Sequence, residues 1–192
     1  MARIARLVLP GHPHHITQRG NRRQTTFFNA ADYRAYIALV ARGAEAAEVG
    51  VLAYCLMPNH VHFIVVPQRK NSLAALFSEA HRRYTRRINE REKWCGHLWQ
   101  ARFHSAALDE QHLLAAARYV ELNPVRATMC QQPQEWPWSS ARAHLAGIND
   151  ALVDVAPMLG RVNNWREYLG AEVPEQHIEA IRRNTRSGRS FV

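Results

Sequence analysis

Lysine is nearly missing from this 192-residue chain: Lys70 and Lys93 are the only two among 25 basic residues, and the others are arginine. Arginine pairs bidentately with phosphate and guanine and stacks on bases, although a GC-rich coding bias would produce the same excess. Acidic residues are also few. Sixteen carboxylates leave a net charge of +9 and a sequence pI near 10.2, which points to a polyanionic partner, nucleic acid first. Cysteine is scarce: Cys55, Cys95 and Cys130 are odd in number and far apart. That excludes a disulfide framework and a zinc ribbon and suits a reducing cytoplasm. No apolar run is long enough to span a membrane, and no apolar N-terminal stretch suggests a signal peptide. The expectation is a cytoplasmic, nucleoid-associated protein with no membrane partner.

The charge is unevenly placed. Residues 1–29 carry five arginines and no acid, residues 69–93 carry eight basic residues against Glu79, Glu90 and Glu92, and residues 182–189 carry four arginines and no acid. A surface built only for solubility mixes the signs more evenly.

Nearly half of the residues are apolar, so the chain can bury a core. Alternation predicts strands over His14–Arg19, Val51–Leu56, Val61–Val66 and Leu98–Leu108. Helical spacing predicts helices over 30–48, capped by Asn29; over 73–91, capped by Ser72; and over 110–122, capped by Asp109 and stopped or kinked at Pro124. The second has a buried stripe of Leu73, Leu76, Phe77, Ala80 and Tyr84. A short helix is expected after Trp136–Trp138, and broken helix over 155–183. The order β-α-β-β-α-β-α predicts an α+β, ferredoxin-like split βαβ antiparallel sheet with helices on one face, plus C-terminal helices. The domain reading is 1–130 for a catalytic unit and 131–192 for a helical extension with a basic tail.

Two groupings carry chemistry. His60 and His62 are i and i+2 on a strand, so they share a face at roughly 7 Å and suit one divalent ion. The pattern equally fits two half-buried, hydrogen-bonded histidines. Tyr119 and Asn123 are i and i+4, about 6 Å apart on one helix face. Core packing and an Asn-Pro helix end explain that pair as well. Among His12, His14 and His15, the adjacent pair points to opposite faces, so both cannot reach one site; they read as structural or DNA-facing. Cys95-Gly96-His97 lacks partner ligands at zinc spacing.

The segments CLMPNHVHFIVVP, RYVELNPVRA and EWPWSSARAH, with HHITQRGNRRQTTFF and LWQARFHS, resemble the REP-associated tyrosine transposases, single-tyrosine HUH endonucleases of IS200-like type. The resemblance runs over most of residues 10–148 with the motifs in order. It implies that His60 and His62 are metal ligands, that Tyr119 is the nucleophile and that Asn123 takes the third ligand position, which is glutamine in related transposases. It implies Mg²⁺ or Mn²⁺, no small-molecule cofactor, and metal-dependent cleavage and transfer of single-stranded DNA through a 5′-phosphotyrosine. The DNA implied is imperfect palindromes that fold into hairpins beside a short guide sequence. Candidate DNA contacts are Arg19, Arg22 and Arg23, the row Arg82, Arg83, Arg86 and Arg87, and Arg102. Tyr84 and Trp94 would stack bases if exposed. A monomer with the tyrosine in cis is favoured. The rival is a catalytically silent DNA-hairpin binder descended from such an enzyme.

Overall fold

The computed structural model describes residues 7–171 together with 179, 181 and 183. The first strand, β1, spans His14–Arg19 as the alternation predicts. Helix α1 spans Ala30–Ala46 and opens where expected: the Asn29 side chain accepts from the amides of Ala31 and Asp32. Strands β2 (Val49–Met57) and β3 (His60–Pro67) form the hairpin around Pro58 and Asn59. Helix α2 follows at Ser72–Glu92. Ser72 is its first helical residue rather than its cap; its hydroxyl accepts from the Arg69 amide, closing the preceding turn.

The fourth strand is much shorter than predicted. Strand β4 covers His104–Ala107 only, with one isolated bridge from Trp99 to Gly20. Ala101 adopts a left-handed backbone, φ 50°, which turns the chain out of the ladder. The Gln18 amide donates to the carbonyls of Gln100 and Ala101 instead. Leu98, Trp99 and Phe103 are nevertheless buried, so a buried loop produced the apolar pattern of a strand.

The strands pair in the order β2-β3-β1-β4, every pair antiparallel. This is the split βαβ arrangement. Helices α1 and α2 cover one face over a core built on Ile16, Tyr36, Phe63, Phe77 and Tyr84. Buried Asp32 joins the two helices by accepting from the Arg91 guanidinium. Helix α3 (Glu110–Glu121), capped by the Asp109 carboxylate on the His112 amide, lies on the opposite face over Leu52, Cys55 and Ile64. A one-turn helix, α4 (Asn123–Arg126), continues from α3 with Pro124 in its first turn.

The described residues after α4 contribute to both layers, with Met158, Trp165 and Leu169 on the α3 face and Ala143, Val153 and Val155 in the α1/α2 core. Helix α5 is Ala141–Ala146, α6 is Ala156–Leu159 and α7 is Trp165–Gly170. The Trp136–Ser140 stretch runs along β2: the Leu56 amide donates to the Trp138 carbonyl, and the Trp136 indole donates to the Leu56 carbonyl. The basic tail expected at 182–189 lies, apart from Arg183, outside the described residues.

Candidate active site

Period-two geometry sends Val61, Phe63 and Val65 of β3 into the α1/α2 core and leaves His60, His62 and Ile64 on the α3 face. His60 and His62 therefore share a face, with ring centroids 5.1 Å apart. Each spends its Nδ1 on a neighbour. His60 Nδ1 donates to Asn59 Oδ1 at 2.6 Å, and Asn59 Nδ2 donates to the Arg23 carbonyl at 3.0 Å. Because that second bond identifies the oxygen end of the Asn59 amide, His60 must carry its proton on Nδ1, which leaves Nε2 bare. His62 Nδ1 is hydrogen-bonded to His15 Nε2 at 3.0 Å, with the two rings stacked at 5.2 Å.

Burial removes protons from this cluster. It lowers His15 to about 4. It also lowers His60 to about 4, with the Arg19 charge adding to the effect. His62 is lowered well below the usual histidine range by burial, then by His60 and His15. The cluster is thus made of neutral imidazoles at neutral pH, the form that donates a lone pair to a metal.

Tyr119 comes from α3 and meets this cluster from above. Its ring stands edge-on to His62 at 5.8 Å and to His15 at 6.4 Å. The Arg126 guanidinium lies over the ring, 4.0 Å from its centroid, and donates to the Tyr119 carbonyl at 2.7 Å. Asn123 opens α4 one turn on, and its buried Nδ2 has no hydrogen-bond partner among the described residues. Such an unpartnered amide end suits a side chain that turns its oxygen to a ligand. Among the described residues no group of three or more His, Cys, Asp or Glu is arranged to hold a metal, so a third donor drawn from these residues would be of another type.

The predicted arginines separate into two sets. Arg19 is in register with His60 across the β1–β3 ladder and shares its face. Arg22 and Arg23 are exposed on a short 3-10 turn with left-handed φ of 52° and 62°. Gly20 ties that turn to the β2–β3 turn, donating from its amide to the Asn59 carbonyl. By contrast, Arg82, Arg83, Arg86 and Arg87 lie exposed on α2, in the layer across the sheet from Tyr119. Glu79 pairs with Arg82 and Arg83, and Glu90 with Arg86. Arg102 is exposed on the loop before β4. Tyr84 is fully buried, with its hydroxyl on the Thr26 carbonyl. It cannot stack a base, whereas Trp94 is exposed.

Sequence reasoning missed four residues here: His15, Asn59, Arg126 and Glu121. The rule that adjacent strand histidines face opposite ways holds, for His14 turns to the other face and bonds Ser105. It did not say which of the two would meet His62, because that depends on the β1–β3 register. Glu121 is buried two residues beyond Tyr119. It accepts from the Ser140 hydroxyl, the His144 imidazole and the Trp165 indole, so it pins α3 to α5 and α7.

A family model described as IS200-like transposase matches residues 10–123, a span holding His15, His60, His62, Tyr119 and Asn123. A curated Haemophilus influenzae protein described as a REP-associated tyrosine transposase is 25% identical over 100 residues, covering 46% of this chain and 57% of that protein. The chain thus spans little more than half the length of that relative. A solved REP-associated tyrosine transposase bound to a REP hairpin superposes with a TM-score of 0.65 at 19% identity, over 81% of this chain and 96% of that one. A transposase from Deinococcus radiodurans gives a TM-score of 0.42 at 21% identity, over 63% and 96%. The match over more than half of its length, together with the shared α+β fold, establishes that this chain belongs to the IS200-like transposase family and resembles its REP-associated tyrosine transposases.

Proposed function

We propose that the protein is a metal-dependent single-stranded DNA endonuclease and strand transferase that acts on hairpin-forming palindromic repeats through a 5′-phosphotyrosine. One observation carries this reading: the Tyr119 ring stands edge-on at 5.8 Å to His62, so a nucleophile candidate and an H-x-H pair from non-adjacent elements meet on one face. Tyr119 Oη gives up its proton and attacks the scissile phosphorus, a P–Oη bond forms, and the P–O3′ bond breaks, the departing 3′ oxygen taking up a proton to leave as a 3′-OH. The phosphotyrosine conserves the bond energy, so a second 3′-OH can displace Tyr119 and rejoin strands without ATP. Tyrosine, with an ordinary pKa of about 10, loses its proton reluctantly.

His60 and His62 through Nε2, with the Asn123 amide oxygen, would hold Mg²⁺ or Mn²⁺. Two imidazoles favour Mn²⁺ in affinity. When bound, the ion neutralises phosphate charge and stabilises the departing 3′ oxygen. Arg19, on the same face as His60, would orient the scissile phosphate. Arg22 and Arg23 would hold the strand beside it, while the α2 arginines and Arg102 would bind more distant phosphates by charge. Tyr119 stands beside His62 of its own chain, an arrangement in which the tyrosine would act in cis, within a monomer. A DNA partner would place the protein at the nucleoid.

The test is a covalent adduct on a denaturing gel, formed with single-stranded hairpin DNA from the repeats flanking the gene. An adduct is expected with Mn²⁺ and none with EDTA. Hairpin binding with no adduct in any divalent metal would instead establish a silent binder.

His15 contributes through His62. For His62 to ligate through Nε2, its Nδ1–H must donate to His15 Nε2, which fixes both tautomer and ring orientation. His15→Phe keeps the ring volume and removes the acceptor. Mn²⁺ affinity by calorimetry should fall about 10–100-fold; an unchanged affinity would show that His15 only fills space.

A further inference from the structure

We propose that the cavity between the Asn21–Arg23 turn and the C-terminal end of α2 binds one unpaired nucleobase, and that guanine is the base that satisfies its walls. The inference rests on the DNA-processing function above and names a feature of the strand it acts on. The cavity is about 370 Å³, within the size range of small-ligand sites. Its lining includes Arg22, Gln24, Asn89, Trp94 and His97.

The walls are chemically specific. Trp94 is 47% exposed, an indole face left to water beside a polar cavity. It is braced edge-on by Phe28 at 5.8 Å, with the Arg91 guanidinium over the Phe28 ring. Its amide donates to the Asn89 carbonyl, so the indole starts from a fixed backbone. A base stacked there gains aromatic contact at little ordering cost. Two amides face the same space with their NH₂ groups already committed: Gln24 Nε2 donates to the Leu98 carbonyl and Asn89 Nδ2 to the Gly96 carbonyl. Their oxygens remain as acceptors.

Acceptors select a ligand with N–H donors, which disfavours a bare phosphate or carboxylate. Thymine brings a single N–H. Guanine brings N1–H and the N2 amine to the two oxygens, and its O6 and N7 are the pair that an arginine such as Arg22 reads best. The cavity is also wired to the active site. The Asn21 amide donates to the Leu98 carbonyl and the Gly20 amide to the Asn59 carbonyl, and Asn59 orients His60. A base held here would set the register of the strand relative to His60.

The experiment measures hairpin affinity while each unpaired nucleotide flanking the stem is replaced in turn by an abasic site. It uses the parent protein, Trp94→Ala and Gln24→Ala. One position should cost the parent about tenfold or more and cost Trp94→Ala almost nothing, in line with the loss of one base–aromatic stack, with Gln24→Ala falling between the two. At that position inosine, which lacks the N2 amine, should also bind more weakly than guanine. A parent that binds the hairpin but has no position coupled to Trp94 overturns the proposal. Coupling to adenine, cytosine or thymine overturns the guanine assignment and keeps the cavity. Failure of the parent to bind any hairpin, flanked or not, would instead bring down the DNA-processing function itself.

Discussion

Replacing Tyr119 with phenylalanine should lower covalent adduct formation by about 10³-fold or more while hairpin affinity stays within about threefold. The substitution removes one oxygen. The ring edge against His62, the guanidinium of Arg126 over the ring and the Arg126 bond to the backbone carbonyl all survive. Folding stability should therefore change by less than about 1 kcal/mol. Tyr119 carries the one hydroxyl of α3, a helix without serine, threonine or cysteine, and no residual route regenerates a phosphotyrosine. Paired binding and denaturing-gel measurements on the same preparations check both halves. An adduct of parental yield in the variant would place the nucleophile on another side chain.

Glu121→Ala should produce the largest loss of stability. The carboxylate is fully buried and takes three donors: Ser140 Oγ at 2.5 Å, His144 Nδ1 at 2.6 Å and Trp165 Nε1 at 2.8 Å. Ser140 in turn accepts from the Tyr54 amide of β2, so one side chain joins α3 to α5, α7 and the sheet. Alanine would leave those donors buried and unpaired at about 1–3 kcal/mol each, for a net loss of about 3–5 kcal/mol after partial relaxation. For a chain of this size the melting temperature should fall by roughly 10 °C. Calorimetric or circular-dichroism melting checks it, and a shift under about 2 °C would mean that the network does not hold α3. Below the transition, adduct yield should suffer more than hairpin binding. The candidate DNA-binding arginines sit on β1, the turn after it, α2 and the loop before β4, whereas Tyr119 rides on the loosened helix.

Much of the fold was legible from local pattern. The alternation of HHITQR, the apolar run of VHFIVV and the caps at Asn29 and Asp109 each report a local preference of the backbone, which neighbouring residues decide. The failures have separate causes. Leu98, Trp99 and Phe103 are buried by packing against the α1/α2 layer, and burial without a ladder partner looks the same in sequence as a strand. Ser72 carries the right hydroxyl for a cap, but the Arg69–Ser72 turn claims it first. Tyr84 could be placed in a buried stripe by its spacing, whereas the exposure of Trp94 depends on where Lys93 ends the helix in a left-handed conformation.

The sequence by itself determined the order of elements, the shared face of His60 and His62, the four-residue spacing of Tyr119 and Asn123, and the basic character of the surface. Each follows from backbone periodicity or composition, which are properties of the chain before it folds. Only the tertiary structure decided that Tyr119 meets His62, that His15 rather than His14 supports it, and that Asn59 connects the arginine turn to His60. It also decided that the α2 arginines lie across the sheet from the tyrosine. Those are distances between residues far apart in sequence. They are set by strand register and by the packing of α3 through Glu121, and no local preference encodes either.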